Sequence, residues 1–161
     1  MSTLPSPHAM TSDLQGTALV GLRYALIPVH GYGIAGATAA RMLDPDGSGA
    51  ARLLQPGEPI PYGARPVLLA ETTVYGAQCV EQMLRNWAGL PRPWLLLISD
   101  APVRPVPAAR YRFRALQSRL AGTARVPYLP VLRTVDGADE ALQHKDVRAA
   151  AEKLRRQMEG K

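Results

Sequence analysis

Residues 31–38 read Gly31-Tyr32-Gly33-Ile34-Ala35-Gly36-Ala37-Thr38. They join an apolar run, Tyr24 to Val29, to an alanine-rich helical stretch, Ala37 to Leu43. A strand, a glycine turn and a helix in that order leave the first N–H groups of the helix without intrahelical partners. Those donors sit at the positive end of the helix dipole and suit an anion such as a phosphate. The turn is therefore where binding chemistry is expected.

The turn reads in three ways. As a phosphate loop it matches the frame G-x4-G-K-[ST] except at the lysine, where Ala37 stands. In that frame the backbone cradles phosphates, the lysine reaches the terminal phosphates, and the hydroxyl takes Mg²⁺. Thr38 then supplies the hydroxyl, and Asp100, closing an apolar strand, is placed to hold the metal. Loss of the lysine removes the charge that stabilises phosphoryl transfer, so ATP or ADP with Mg²⁺ is expected to bind without turnover. As a dinucleotide turn, residues 31–36 form a complete G-x-G-x-x-G, and NAD is the implied cofactor. That reading needs an acid at the end of the next strand. Glu58 has roughly the spacing but lies in the turn-like segment QPGEPIP. In the third reading the glycines only let the chain turn and the helix pack on the sheet.

A second feature is charge. The chain carries a net +6, yet residues 101–133 hold Arg104, Arg110, Arg112, Arg114, Arg119, Arg125 and Arg133 and no acid. The positive field is local and can steer an acidic partner. Arg110, Arg112, Arg114 and Arg119, with Tyr111, are expected on one helix. There they form either an ordinary solvated face or a surface for an acidic protein, a nucleic acid or a membrane surface. No helix-turn-helix, zinc or RNP motif accompanies them. The three histidines, His8, His30 and His144, are scattered, so a metal cluster is not supported. Cys79 is the single cysteine, which excludes an intrachain disulfide. It reads as a structural thiol, because nothing nearby in sequence would activate it.

The elements that must position these residues follow from periodicity. Residues 1–16 are polar, Pro/Ser-rich and aperiodic, and are expected as a disordered tail, with one α/β domain over 17–158. Strands are predicted at 24–29, 66–71 and 94–99, with a short one within 51–54 and an edge strand at 126–132, demoted by Pro127 and Pro130. Helices are predicted at 37–43, 74–87, 108–121 and 139–158. Repeated strand–helix units imply a three-layer αβα sandwich with a mostly parallel sheet of four to five strands. Ligands in such sheets bind beyond the C-terminal strand ends. The residues expected there are the 30–38 turn with His30, then Glu71, Thr72, Asp100 and Arg133. No apolar run approaches the length of a membrane span and no signal peptide is evident, so a cytoplasmic protein is expected, with a homodimer allowed.

Three segments, VHGYGIAGAT, LLAETTVYGAQCVEQ with LLLISDAP, and VPYLPVLRTV, together resemble an uncharacterised family of small actinobacterial proteins. Members occur beside conjugative-transfer genes on mobile elements. The family's turn is itself similar to a degenerate P-loop of the MinD/ParA type with the lysine lost. The resemblance spans about residues 24–135. The turn here has one extra residue, so either Gly36 or Ala37 stands at the lysine position. The resemblance implies a P-loop NTPase-like fold and an accessory role in DNA transfer or element maintenance. The leading expectation is a non-catalytic binding or scaffold protein that holds a phosphate-bearing ligand. The alternative is a dinucleotide-binding protein or a weak ATPase.

Overall fold

The computed structural model describes residues 21–31 and 33–159. The expected N-terminal tail, and Tyr32 of the turn, lie outside the described residues. The elements in order are β1 (Tyr24–Pro28), α1 (Ile34–Leu43), β2 (Ala51–Leu53), β3 (Arg65–Glu71), α2 (Val74–Arg85), β4 (Trp94–Ile98), α3 (Pro107–Ala115), β5 (Gly122–Val126), α4 (Ala138–Ala141) and α5 (Lys145–Met158). Single 3₁₀ turns cover Gln117–Arg119 and Pro130–Arg133.

The five strands pair in the order β2-β1-β3-β4-β5, all parallel. Parallel strands buried on both faces read as unbroken apolar runs, and Val67 to Ala70 and Leu95 to Ile98 are buried throughout. Alternation assigns their side chains to two cores. Leu26, Val67, Leu69, Leu96, Ile98, Ala124 and Val126 pack with α1 and α5. Leu68, Ala70, Leu95 and Leu97 pack with α2 and α3. The result is the expected αβα sandwich. Val147, Ala151, Leu154 and Met158, a stripe at helical spacing, are buried on α5. Arg155 Nη1 also donates to Met42 O at 2.7 Å, tying α5 to the end of α1.

Three boundaries differ from the sequence expectation. The edge strand is 122–126, not 126–132. Pro127 and Pro130 have no N–H for a ladder, whereas 122–126 lies in register with Trp94–Ile98 and the chain then folds into the 130–133 turn. Helix α3 ends at Ala115 rather than 121, so Arg119 lies past it in a 3₁₀ turn. The last helix is two pieces, α4 and α5, broken at 142–144 with His144 as the cap residue of α5.

One omission shapes the molecule. The β2–β3 connection, residues 54–64, contains no helix. Among the described residues the sheet over β1, on the side of α2, is thus covered only by loop.

Candidate functional site

The strand order reverses between β1 and β3, which is the switch point of this doubly wound order. The C-terminal ends of those two strands meet there. Val29 N donates to Leu69 O at 3.0 Å, extending the pairing past Pro28. His30 then bridges the two ends. Its Nε2 accepts the backbone N–H of Glu71 at 3.0 Å, and its Nδ1 lies 2.9 Å from Gly31 O. Only the neutral ring with the proton on Nδ1 satisfies both contacts.

The glycine turn follows directly. Gly33 is the N-cap residue of α1 and gives no side-chain cap, and the first turn of α1 carries no acid. Gly36 N and Ala37 N turn back to Gly33 O, at 3.1 and 3.3 Å. Gly31 and Gly33 are exposed, neither has a positive φ, and a Cβ on either would meet nothing within 4 Å. Neither the left-handed region nor close packing requires glycine at these two positions. Gly76 is the contrast. A Cβ there would come within 2.2 Å of Glu71 O, so its glycine belongs to the packing of α2 against the end of β3.

A crevice of about 30 Å³ lies beside the turn, lined by Pro28, His30, Gly31, Gly33, Ala35, Gly36, Leu69, Ala70, Glu71 and Ile98. It has room for little more than one anion oxygen or water. Among the described residues no lysine or arginine lines it, and Glu71 is its one charged group. Pro28, His30 and Gly31 also form the rim of a much larger groove of about 840 Å³. This groove fills the space left by the helix-free connection. Its walls are Ile27 and Val29 of the sheet edge, Leu54 to Ile60 of the loop, and Met83, Trp87 and Leu90 at the end of α2. Its size and mainly apolar walls are those of a small-molecule site.

No protein-family model, curated protein or solved structure matches this chain.

The remaining expected site residues separate. Ile34 and Ala35 are half-buried at the start of α1. Thr38 is completely buried, and its hydroxyl is sealed from solvent without a partner. Asp100 is exposed beyond β4 and accepts a hydrogen bond from Thr72 Oγ1 at 3.1 Å. Strand β3 stands between Asp100 and the turn, which sets the two apart by on the order of 10 Å at ~4.8 Å per strand. The Thr38–Asp100 pairing expected for Mg²⁺ is thus not assembled. Among the described residues no group of three or more His, Cys, Asp or Glu is gathered for a metal. Arg133 is exposed and lines neither the crevice nor the groove.

The arginines divide as well. Arg112 pairs with Glu81 of α2 at 3.2 Å. Arg119 is exposed past the helix. Arg110 and Arg114 instead turn into a cleft of about 190 Å³ between α3 and the edge strand, together with Arg104 and Arg125. Arg104 and Arg125 were outside the expected helix set. Their membership depends on alternation in β5: Ala124 and Val126 face one core, so Thr123 and Arg125 face the other side. Among the described residues no helix is long and apolar enough to cross a membrane.

Proposed function

We propose that the protein is a non-catalytic binding protein for a small phosphate-bearing ligand seated at the β1/β3 switch point. One end of the ligand, a phosphate, lies against the exposed backbone at Gly31 and Gly33. The rest, a flat or apolar body such as a nucleotide base, lies in the adjoining groove against Met83 and Trp87. The observation that carries this reading is the pair of exposed glycines that neither a positive φ nor packing calls for. A phosphate approaching the backbone closely is a reason for glycine there that folding is not. The shared rim, Pro28, His30 and Gly31, makes crevice and groove one continuous surface.

Two features support binding without turnover. No cation lines the crevice to stabilise transferring charge. Both nitrogens of His30, the one imidazole there, are engaged with the backbone. The family resemblance adds the setting, an accessory role in DNA transfer or maintenance of a mobile element.

The test is calorimetry with ATP, ADP and NAD, each with and without Mg²⁺, on the native chain and on Gly33→Asp. An aspartate at this N-cap places a carboxylate where the phosphate is proposed to sit, while capping the helix. Saturable binding of one of these ligands, lost in Gly33→Asp with the fold intact, is the expected result. Failure of all three to bind, or binding that survives Gly33→Asp, overturns the reading.

A further inference from the structure

Four arginines line the cleft between α3 and β5: Arg104, Arg110, Arg114 and Arg125. They come from a loop, a helix and a strand, so the convergence is a property of the fold and not of one helix face. None of the four has a salt-bridge partner among the described residues. Arg112, by contrast, is neutralised by Glu81. No carboxylate lines the cleft. The acid tied to its wall is Asp100, which accepts a hydrogen bond from the Thr72 hydroxyl. Arg110 is half-buried, whereas Arg104, Arg114 and Arg125 are exposed.

We propose that this cleft is a binding site for a compact polyphosphate group, separate from the glycine turn. Four positive charges in about 190 Å³ call for several negative charges in a small volume. The guanidinium forks take phosphate oxygens bidentately, and Thr123 and Gln117 offer further donors. A nucleic-acid strand is the poorer occupant. Sequence-tolerant strand binding uses exposed aromatic platforms. Here Phe113 is buried in the wall, while Tyr111 is exposed and does not line the cleft.

The test is calorimetric titration of the full chain with inorganic triphosphate and, in parallel, ATP. Arg104→Glu and Arg125→Glu alter exposed side chains, Arg119→Glu is the control, and Gly33→Asp reports on the turn. Triphosphate is expected to bind saturably. Its Kd should rise at least about tenfold in Arg104→Glu and Arg125→Glu, and stay within about twofold of native in Arg119→Glu. Arg110→Lys keeps the charge, removes the planar fork and is also expected to weaken binding. Equal affinities for triphosphate and ATP assign the cleft to the phosphates alone; tighter ATP in the cleft adds a nucleoside contact. Either supports the site. No saturable binding overturns it, as does equal weakening by Arg119→Glu, which signals a diffuse field. A loss confined to Gly33→Asp moves the ligand to the turn and also overturns the cleft. A single-stranded oligonucleotide that displaces triphosphate and binds more tightly replaces the compact anion with nucleic acid. The two sites fail separately, because the variants of each leave the other's residues in place.

Discussion

The ring of His30 ties the end of β1 to the end of β3 by accepting the backbone N–H of Glu71 at 3.0 Å. The bond sits at the switch point and braces the segment that leads into the glycine turn. His30→Ala is expected to cost about 0.5–1.5 kcal/mol, the net worth of one hydrogen bond whose donor can still reach water. Denaturant unfolding measures the cost. Amide exchange should show Glu71 N–H losing protection while the centre of β4 keeps its own. Unchanged protection at Glu71 would show that the ring does not hold the turn.

Gly31 and Gly33 provide a stability test as well as a binding one. Gly31→Ala places a methyl group in open space at a position without positive φ. Its stability is expected to be unchanged or raised by up to about 1 kcal/mol, because alanine restricts the unfolded chain. Gly33→Asp is expected to hold or gain a few tenths of a kcal/mol as a helix cap. A loss of more than about 2 kcal/mol in either would mean that folding does demand these glycines, and would remove the argument for a ligand there.

Gly76→Ala should behave in the opposite way. The new methyl would press on the carbonyl of Glu71, which is backbone and cannot swing aside. A cost of about 1–3 kcal/mol is expected. At roughly 2–4 °C per kcal/mol for a chain of this size, the shift is resolved by thermal melting.

Asp44 sets the expected acid response. Burial works against its charge as the largest single influence. The hydrogen bonds from Gly49 N, Ser48 N, the Ser48 hydroxyl and Ala50 together outweigh it, and the carboxyl titrates below its usual range. The folded group is the stronger acid, so its contribution to stability is fully present above about pH 4, the unfolded value. It is lost as pH falls through the lower folded value. Asp44→Ala should cost about 1–3 kcal/mol near neutral pH and correspondingly less in strong acid, read from urea unfolding at several pH values. A pH-independent cost would mean that the carboxylate's charge is not what holds the 44–50 loop.

The groove gives the last prediction. Trp87 is half-buried on its wall, with its indole N–H donating to Pro91 O at 2.7 Å. Its fluorescence should change on binding of whichever nucleotide the calorimetry identifies, and Trp87→Leu should weaken that ligand about tenfold or more through lost aromatic contact. An unaltered spectrum at saturation would place the ligand body elsewhere.

Much of the architecture was legible in the residues themselves. Val67–Ala70 and Leu95–Ile98 are continuous apolar runs, and such runs have few alternatives to a doubly covered parallel strand. The periodic stripe of α5 and the cap at Thr73, whose side chain accepts from Gly76 N, are equally local signals. Prolines misplaced the edge strand, because the pairing of Gly122–Val126 is set by its neighbour β4 rather than by its own composition. The turn was visible as a motif. That Gly31 and Gly33 stand free while Thr38 is sealed in the core was not, since exposure depends on what packs above a residue.

The strand–helix alternation, the glycine turn and the acid-free arginine stretch are legible in the chain, because each is written in the order and period of neighbouring residues. Which arginines line one cleft, the strand that separates Asp100 from the turn, and the groove beside a helix-free connection emerge with the fold. Those relations join residues far apart along the chain, and only the order of the strands and the packing on their two faces bring them together.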